Sequence, residues 1–223
     1  MNIVEYPDRE ALLLDLANTI AGELRAALES NDRASLCVPG GTTPGPVFDT
    51  LSGVTLDWDR VDVLLNDERW VPESSDRSNT TLLKQRLLVD KASAATLVPL
   101  YADTPTPEEG LDGLMAAIEA TLPLDVLVLG MGADMHTASL FPGADQLELA
   151  LSDAAPTLLA MRAPNAPEPR ITLSAQALKS AMATHILITG DEKRTALERA
   201  ATLSPMDAPV SVFLAQATVH WAP

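Results

Sequence analysis

The sequence predicts an α/β fold: a single doubly wound domain over residues 1–223, built on a largely parallel sheet. Short apolar runs at 35–38, 61–65, 125–129 and 185–189 each end in a polar or Gly-bearing turn, as strands buried on both faces do. Amphipathic stretches alternate with these runs, the order that makes strand–helix–strand units. The length, 223 residues with 47% hydrophobic, suits one domain with a sizeable core.

Near the start, Leu12, Leu13, Leu16, Ile20 and Leu24 recur at helical spacing, so a helix is expected over 8–28 with Asp8 as its N-cap. The run 35–38 then ends in Pro39-Gly40-Gly41-Thr42-Thr43-Pro44-Gly45. Gly40 and Gly41 free the backbone while Thr42 and Thr43 offer hydroxyl and amide donors, which makes a candidate anion cradle. A plain strand-to-helix turn, with Pro44 opening the helix, is the other reading. Pro44 and Pro46 carry no amide hydrogen, and neither a Walker pattern nor Gly-x-Gly-x-x-Gly is present, so no nucleotide or other cofactor is expected.

The run 61–65 leads into Asn66-Asp67-Glu68-Arg69-Trp70-Val71-Pro72. Two carboxylates and a guanidinium leaving a strand make either a solvated, salt-bridged loop or a site, and Arg69 is the residue type that clamps phosphate bidentately. Ser78-Asn79 opens a helix through Leu88, 96–100 reads as a short strand, and 108–122 as a helix with Leu111, Leu114, Met115 and Ile118 on its core face.

The strand at 125–129 runs into Gly130-Met131-Gly132-Ala133-Asp134-Met135-His136. Gly130 and Gly132 allow a tight turn, and Asp134 and His136 stand past the carboxyl end of the strand, where open α/β sheets bind ligands. Imidazole titrates near neutrality, so His136 is the first candidate for a general base; a His that merely hydrogen-bonds the next helix is the plainer alternative. Beyond it, 144–155 is expected as loop or short helix, 157–161 as a strand, and Ser174 as the cap of a helix to Ala183. Arg170 either reaches the site or pairs with Glu168 at the surface. After 185–189 and Gly190, Lys193 and Arg194 oppose the dipole of the helix they open, unless a bound anion or Asp191 and Glu192 offset them. Strands are expected at 209–214 and 217–221.

The net charge of −16, from 31 acidic against 15 basic residues, repels nucleic acid and anionic membranes, so neither is an expected partner. An anionic substrate would need a locally basic pocket. One cysteine, Cys37, excludes an intrachain disulfide and reads as a small buried hydrophobe in a reducing compartment. The histidines His136, His185 and His220 lie far apart without metal-ligand spacing, so no metal is expected. No apolar run approaches the ~20 residues of a membrane span and no secretory signal is visible, which predicts a cytoplasmic protein, its oligomeric state open and a monomer included.

Residues 130–143, Gly-Met-Gly-Ala-Asp-Met-His-Thr-Ala-Ser-Leu-Phe-Pro-Gly, resemble the signature of the bacterial 6-phosphogluconolactonases. Their wider group of sugar-phosphate isomerases includes the glucosamine-6-phosphate deaminases, which share the Gly-rich turn and the His but continue in an Ala-Phe-Asn-Glu-like run. Here Thr137 to Pro142 takes the lactonase form. Gly40-Gly41-Thr42-Thr43-Pro44, Asp67-Glu68-Arg69 with Ser78-Asn79, and the Pro-rich segment entering Arg170-Ile171-Thr172-Leu173 resemble further family elements in family order. Two positions depart: Met135 stands where the family usually has Gly, and Asn165 where relatives often carry Lys.

The resemblance implies the isomerase-type fold and hydrolysis of 6-phospho-D-glucono-1,5-lactone, a phosphorylated sugar lactone, in the oxidative pentose phosphate pathway. It implies His136 as the base that activates water, Asp134 or Asp67 orienting the imidazole or the water, and backbone amides near Gly41 or Gly132 facing the oxyanion. Arg69 and Lys193 become the phosphate anchors, with Arg170 behind them. No Gly-x-Ser-x-Gly elbow exists, so a serine ester is not expected. An amino-sugar phosphate deaminase and a non-catalytic sugar-phosphate sensor are the alternatives.

Overall fold

The computed structural model describes residues Met1–Pro223. In chain order it contains β1 (Asn2–Glu5), α1 (Arg9–Ser30), β2 (Ala34–Val38), α2 (Gly45–Ser52), β3 (Val61–Leu65), β4 (Asp67–Arg69), α3 (Asn79–Arg86), β5 (Thr96–Val98), α4 (Pro107–Glu119) and β6 (Val126–Gly130). There follow α5 (Leu147–Leu151), β7 (Leu158–Met161), β8 (Arg170–Leu173), α6 (Ala175–Lys179), β9 (Ala183–Thr189), α7 (Asp191–Ala200) and β10 (Thr218–Ala222).

Seven strands form one parallel sheet in the order β1-β10-β9-β6-β2-β3-β5. The α/β expectation holds, and the order identifies where a ligand belongs. From β2 the chain steps outward to β3, whereas from β6 it steps the other way to β9 and β10. The boundary between β2 and β6 is therefore the topological switch point, and the crevice past the carboxyl ends of those strands is the expected binding position. Only Leu36 and Cys37 pair with Val126 and Leu127, so the two strands separate towards Pro39 and Gly130. Asn66 bridges that split: its Nδ2 donates to the Val128 carbonyl oxygen at 3.2 Å.

Asp8 caps α1 by accepting from the Ala11 amide at 2.8 Å, and Leu12, Leu16, Ile20, Leu24 and Leu28 turn one buried stripe to the sheet. β2, β3 and β6 are largely apolar, with Ser35 and Asp62 the exceptions, because helices cover both faces of a parallel sheet.

A second, antiparallel sheet of order β4-β8-β7 closes over the crevice. The stretch 67–69, read as either a solvated, salt-bridged loop or a site, is a strand, paired Asp67↔Thr172, Glu68↔Ile171 and Arg69↔Arg170. Two other expectations are corrected. The helix capped by Ser174 stops at Lys179 rather than Ala183, because the amides of Met182 and Ala183 are taken by the carbonyls of Leu124 and Asp125 at the head of β6. Residues Pro209–Phe213 form a 3-10 helix, not a strand: Pro209 has no amide for a ladder, and the Val210 amide bonds the Met135 carbonyl at 3.2 Å. β1, at the sheet edge beside β10, carries too short a pattern to have been read.

Candidate active site

At the switch point lies a cavity of about 480 Å³ lined by the turns after β2, β3, β6 and β9. Gly40, Gly41, Thr42, Thr43, Asp67, Arg69, His136, Arg170 and Lys193 all line it; Asp134, the remaining candidate for the site, does not.

His136 is held by its loop. The Gly132 amide donates to the His136 carbonyl at 2.9 Å, the Met135 amide donates back to the Gly132 carbonyl at 2.9 Å, and Thr137 Oγ1 ties the turn to the Gly130 carbonyl at 2.8 Å. Gly132 is required by space: a Cβ there would sit 2.1 Å from His136 Nδ1 and 2.4 Å from Asp134 Oδ1. Asp134 Oδ1 lies 2.5 Å from His136 Nδ1. Burial disfavours the charged form of Asp134, but the hydrogen bond and charge of His136 outweigh it and leave the carboxyl below its ordinary range. An ionised Asp134 can only accept, so Nδ1 carries the hydrogen and Nε2 is the nitrogen with a lone pair to use. Nε2 makes no hydrogen bond to the protein and the side chain is 30% exposed, so this lone pair faces the cavity.

Met135 keeps the turn that a Gly would make. Its φ is 66°, in the left-handed region, and its side chain is buried in the core rather than among the cavity residues.

Across the cavity the small sheet presents cations. Arg69 and Arg170 are directly opposed across β4 and β8, an arrangement that repels unless something negative lies between or beside them. Asp67 Oδ2 meets Arg170 Nη1 at 3.6 Å and accepts from Ser139 Oγ at 2.6 Å. Burial lowers the pKa of the Arg170 guanidinium despite that carboxylate, and the Nε of both arginines is buried without a partner. Arg69 Nη1 donates to the Arg77 carbonyl at 2.7 Å. The surface pairing of Arg170 with Glu168 does not occur: Glu168 pairs with Arg77, and Arg170 is only 8% exposed. Lys193 lines the cavity and donates to the Met131 carbonyl at 2.8 Å, whereas Arg194 is occupied by Glu5 and Glu198.

Glu68 settles the reading of the Asp-Glu-Arg triplet against a solvated loop. It is fully buried, and its carboxylate accepts from the amides of Arg69, Asn79 and Thr80 and the hydroxyls of Ser78 and Thr80. It thereby caps α3 and fixes the segment from which Asp67 and Arg69 project. Asn79 lies against Gly40, where a Cβ would come within 2.1 Å of its side chain. Asn66, Asn79 and Phe141 also line the cavity, without a role expected from the sequence; Asn66 directly before Asp67 and Phe141 within the 130–143 motif were the available signals, whereas Asn79 reaches Gly40 only through the fold. No group of three or more His, Cys, Asp or Glu side chains converges as a metal ion would require.

Residues 7–221 match the family model described as glucosamine-6-phosphate isomerases/6-phosphogluconolactonase. The chain belongs to this family. A relative from Mesorhizobium japonicum called 6-phosphogluconolactonase is 41% identical, over 98% of this chain and 94% of its own length. One of the same name from Rhizobium meliloti is 41% identical over 100% of this chain and 98% of its own. A crystal structure of a 6-phosphogluconolactonase from Shewanella baltica OS155 superposes with a TM-score of 0.94 at 35% identity, covering 100% of this chain and 98% of the other. The candidate residues at 40–43, 67–69, 136, 170 and 193 come from five separated stretches of the chain, which the fold brings to one crevice. No helix of the chain is long and apolar enough to cross a membrane.

Proposed function

We propose that this chain, acting as one domain, hydrolyses 6-phospho-D-glucono-1,5-lactone to 6-phosphogluconate in the oxidative pentose phosphate pathway. The arrangement that carries the reading is one imidazole with its Nε2 unspent, facing a cavity whose opposite wall holds an opposed pair of arginines with unpartnered nitrogens. The first suits a base, and the second suits a phosphate.

His136 Nε2 removes a proton from a water as its oxygen bonds the lactone carbonyl carbon. Asp134 holds the Nδ1–H tautomer and stabilises the imidazolium that forms. The tetrahedral oxyanion faces backbone amides of the Gly40–Thr43 turn or of Gly132. It collapses by breaking the bond from that carbon to the ring oxygen, which takes the proton from His136. Arg69 and Lys193 anchor the phosphate, with Arg170 beside Arg69 as a third donor. Asp67 sits against Arg170 and Ser139 rather than His136, which supports a role in holding that guanidinium. The one cysteine, buried and with its thiol pKa pushed well up by desolvation, fits a reducing compartment such as the cytoplasm.

The test is a lactone-hydrolysis assay run beside an ammonia-release assay on glucosamine-6-phosphate. Turnover is expected in the first, above the spontaneous rate, and none in the second; ammonia release without lactonase activity would replace this reading with a deaminase.

A further inference from the structure

Asp134 fixes one atom of the His136 ring, but a ring held at one atom can still pivot about that bond. The torsion that swings an imidazole is broad, with no sharp staggered minimum to hold it. Something else must set the plane. Gly132 supplies one limit, since its missing Cβ leaves room that the ring occupies to within contact. The other is Phe141, whose ring centroid lies 4.3 Å from that of His136 with 30° between the planes. Phe141 is itself buried, 8% exposed, on a segment tied down by the Ser139 bonds to Asp67 and Thr172 and by the Ala144 amide, which donates to its carbonyl at 3.1 Å. The same aromatic ring carries Arg170, whose guanidinium carbon is 5.6 Å from the centroid.

We propose that Phe141 is a positioning residue for His136: its ring holds the imidazole in the plane that aims Nε2 into the cavity. This rests on the reading of His136 as the base. A face of negative quadrupole beside the imidazole also favours the imidazolium that exists only after proton transfer, so the contact strengthens towards the transition state. A base misplaced by about 1 Å costs on the order of 10²-fold in rate, which sets the upper end of the effect.

The experiment is a cycle of Phe141→Leu, His136→Ala and the double variant, with spontaneous hydrolysis subtracted and folding checked by circular dichroism. Phe141→Leu is expected to lower kcat ~10–100-fold, with any rise in KM from the Arg170 contact smaller than the loss in kcat, because its main effect is on the base. Phe141→Tyr, which keeps the aromatic face, is expected to recover kcat to within about threefold. In the His136→Ala background Phe141→Leu should cost nothing more, since its effect passes through the missing ring. The His136 Cε1–H resonance should move in Phe141→Leu while those of His185 and His220 stay. If Leu fails to fold, Phe141→Met, closer in volume, takes its place in the cycle. An unchanged kcat, a rise confined to KM, or an equal loss in both backgrounds would overturn the proposal; a His136→Ala enzyme with near wild-type turnover would instead overturn the base assignment beneath it.

Discussion

Around His136 one imidazole nitrogen is left over; around His185 and His220 none is. The second region is a buried polar chain between the sheet and α1. Tyr6 Oη donates to Asp15 at 2.6 Å and lies 2.9 Å from His220 Nδ1, His220 Nε2 is 3.0 Å from His185 Nδ1, and His185 Nε2 is 2.8 Å from Glu23. Each ring nitrogen there has a partner, and both histidines are under 5% exposed. In the cavity, His136 Nε2 and the Nε atoms of Arg69 and Arg170 have none. A buried polar group without a partner costs about 1–3 kcal/mol, so a fold retains such groups where a ligand completes them. The same residue type is structural where its hydrogen-bonding capacity is spent and chemical where it is not.

The sharpest way to break this contrast is to remove each histidine and see which property fails. His136→Ala should lower kcat by ~10²–10⁴-fold while leaving the unfolding midpoint in urea close to wild type, because the ring is partly exposed and outside the core. A variant that loses stability instead of turnover would make the two regions alike.

His220 should behave in the reverse way. Desolvation, then the nearby charge of His185, outweigh Asp15 and Glu23 and bring its pKa from 6.5 down to about 4. The folded state therefore keeps His220 neutral while the unfolded chain binds a proton below pH 6.5. Stability from this residue is fully present above that pH and is lost as pH falls towards about 4, by at most ~3 kcal/mol. Urea unfolding at pH 7 and pH 4.5 is expected to show that loss in the wild type and a shallower one in His220→Gln, whose turnover at pH 7 should match wild type. Equal pH slopes in the two proteins would mean that the buried chain titrates elsewhere.

The arginine pair gives a smaller effect on the cavity side of the comparison. Arg69→Ala should raise KM for the phosphorylated lactone ~10–100-fold, the equivalent of one charge-assisted hydrogen bond of about 1.5–3 kcal/mol. Activity on the unphosphorylated lactone should hardly change. If both substrates suffer equally, Arg69 supports the small sheet and its unpartnered nitrogen is not a ligand site.

Much of this was legible in the sequence because it is local. The runs at 35–38, 61–65 and 125–129 are apolar apart from Ser35, Asp62 and Asp125, the near-continuous pattern of strands buried on both faces of a parallel sheet. The turn after each strand carried the Gly, Asp, Arg and His residues that line the cavity. What escaped depends on pairing across long separations. The opposition of Arg69 and Arg170 exists only through the register of β4 and β8, and the contact of His185 with His220 only through that of β9 and β10, which sets His185 opposite Thr218. Far apart in sequence, those two histidines looked unrelated. Glu68 looked like a surface charge for the same reason, since its donors lie at the start of a helix ten residues on.

Met135 is the finest test of where the two kinds of region divide, because it sits one residue before the reactive imidazole yet belongs to the core. Its backbone takes the left-handed conformation that suits Gly, at φ 66°, while its side chain packs among buried apolar residues. That conformation costs a non-Gly residue about 1–2 kcal/mol, and burying a Met side chain returns about as much or more, since deleting one from a core costs ~2–5 kcal/mol. The strain is therefore held by packing, and the turn survives without Gly. Met135→Gly should change kcat/KM by less than about tenfold, ~1.4 kcal/mol, because the side chain is not among the cavity residues and the backbone geometry is already the one Gly would adopt. Its unfolding midpoint should fall, since lost packing and a freer unfolded chain outweigh the relief of strain. A rise in kcat/KM well beyond tenfold would show that Met135 obstructs the cavity, which would move it from the spent side of the comparison to the unspent one.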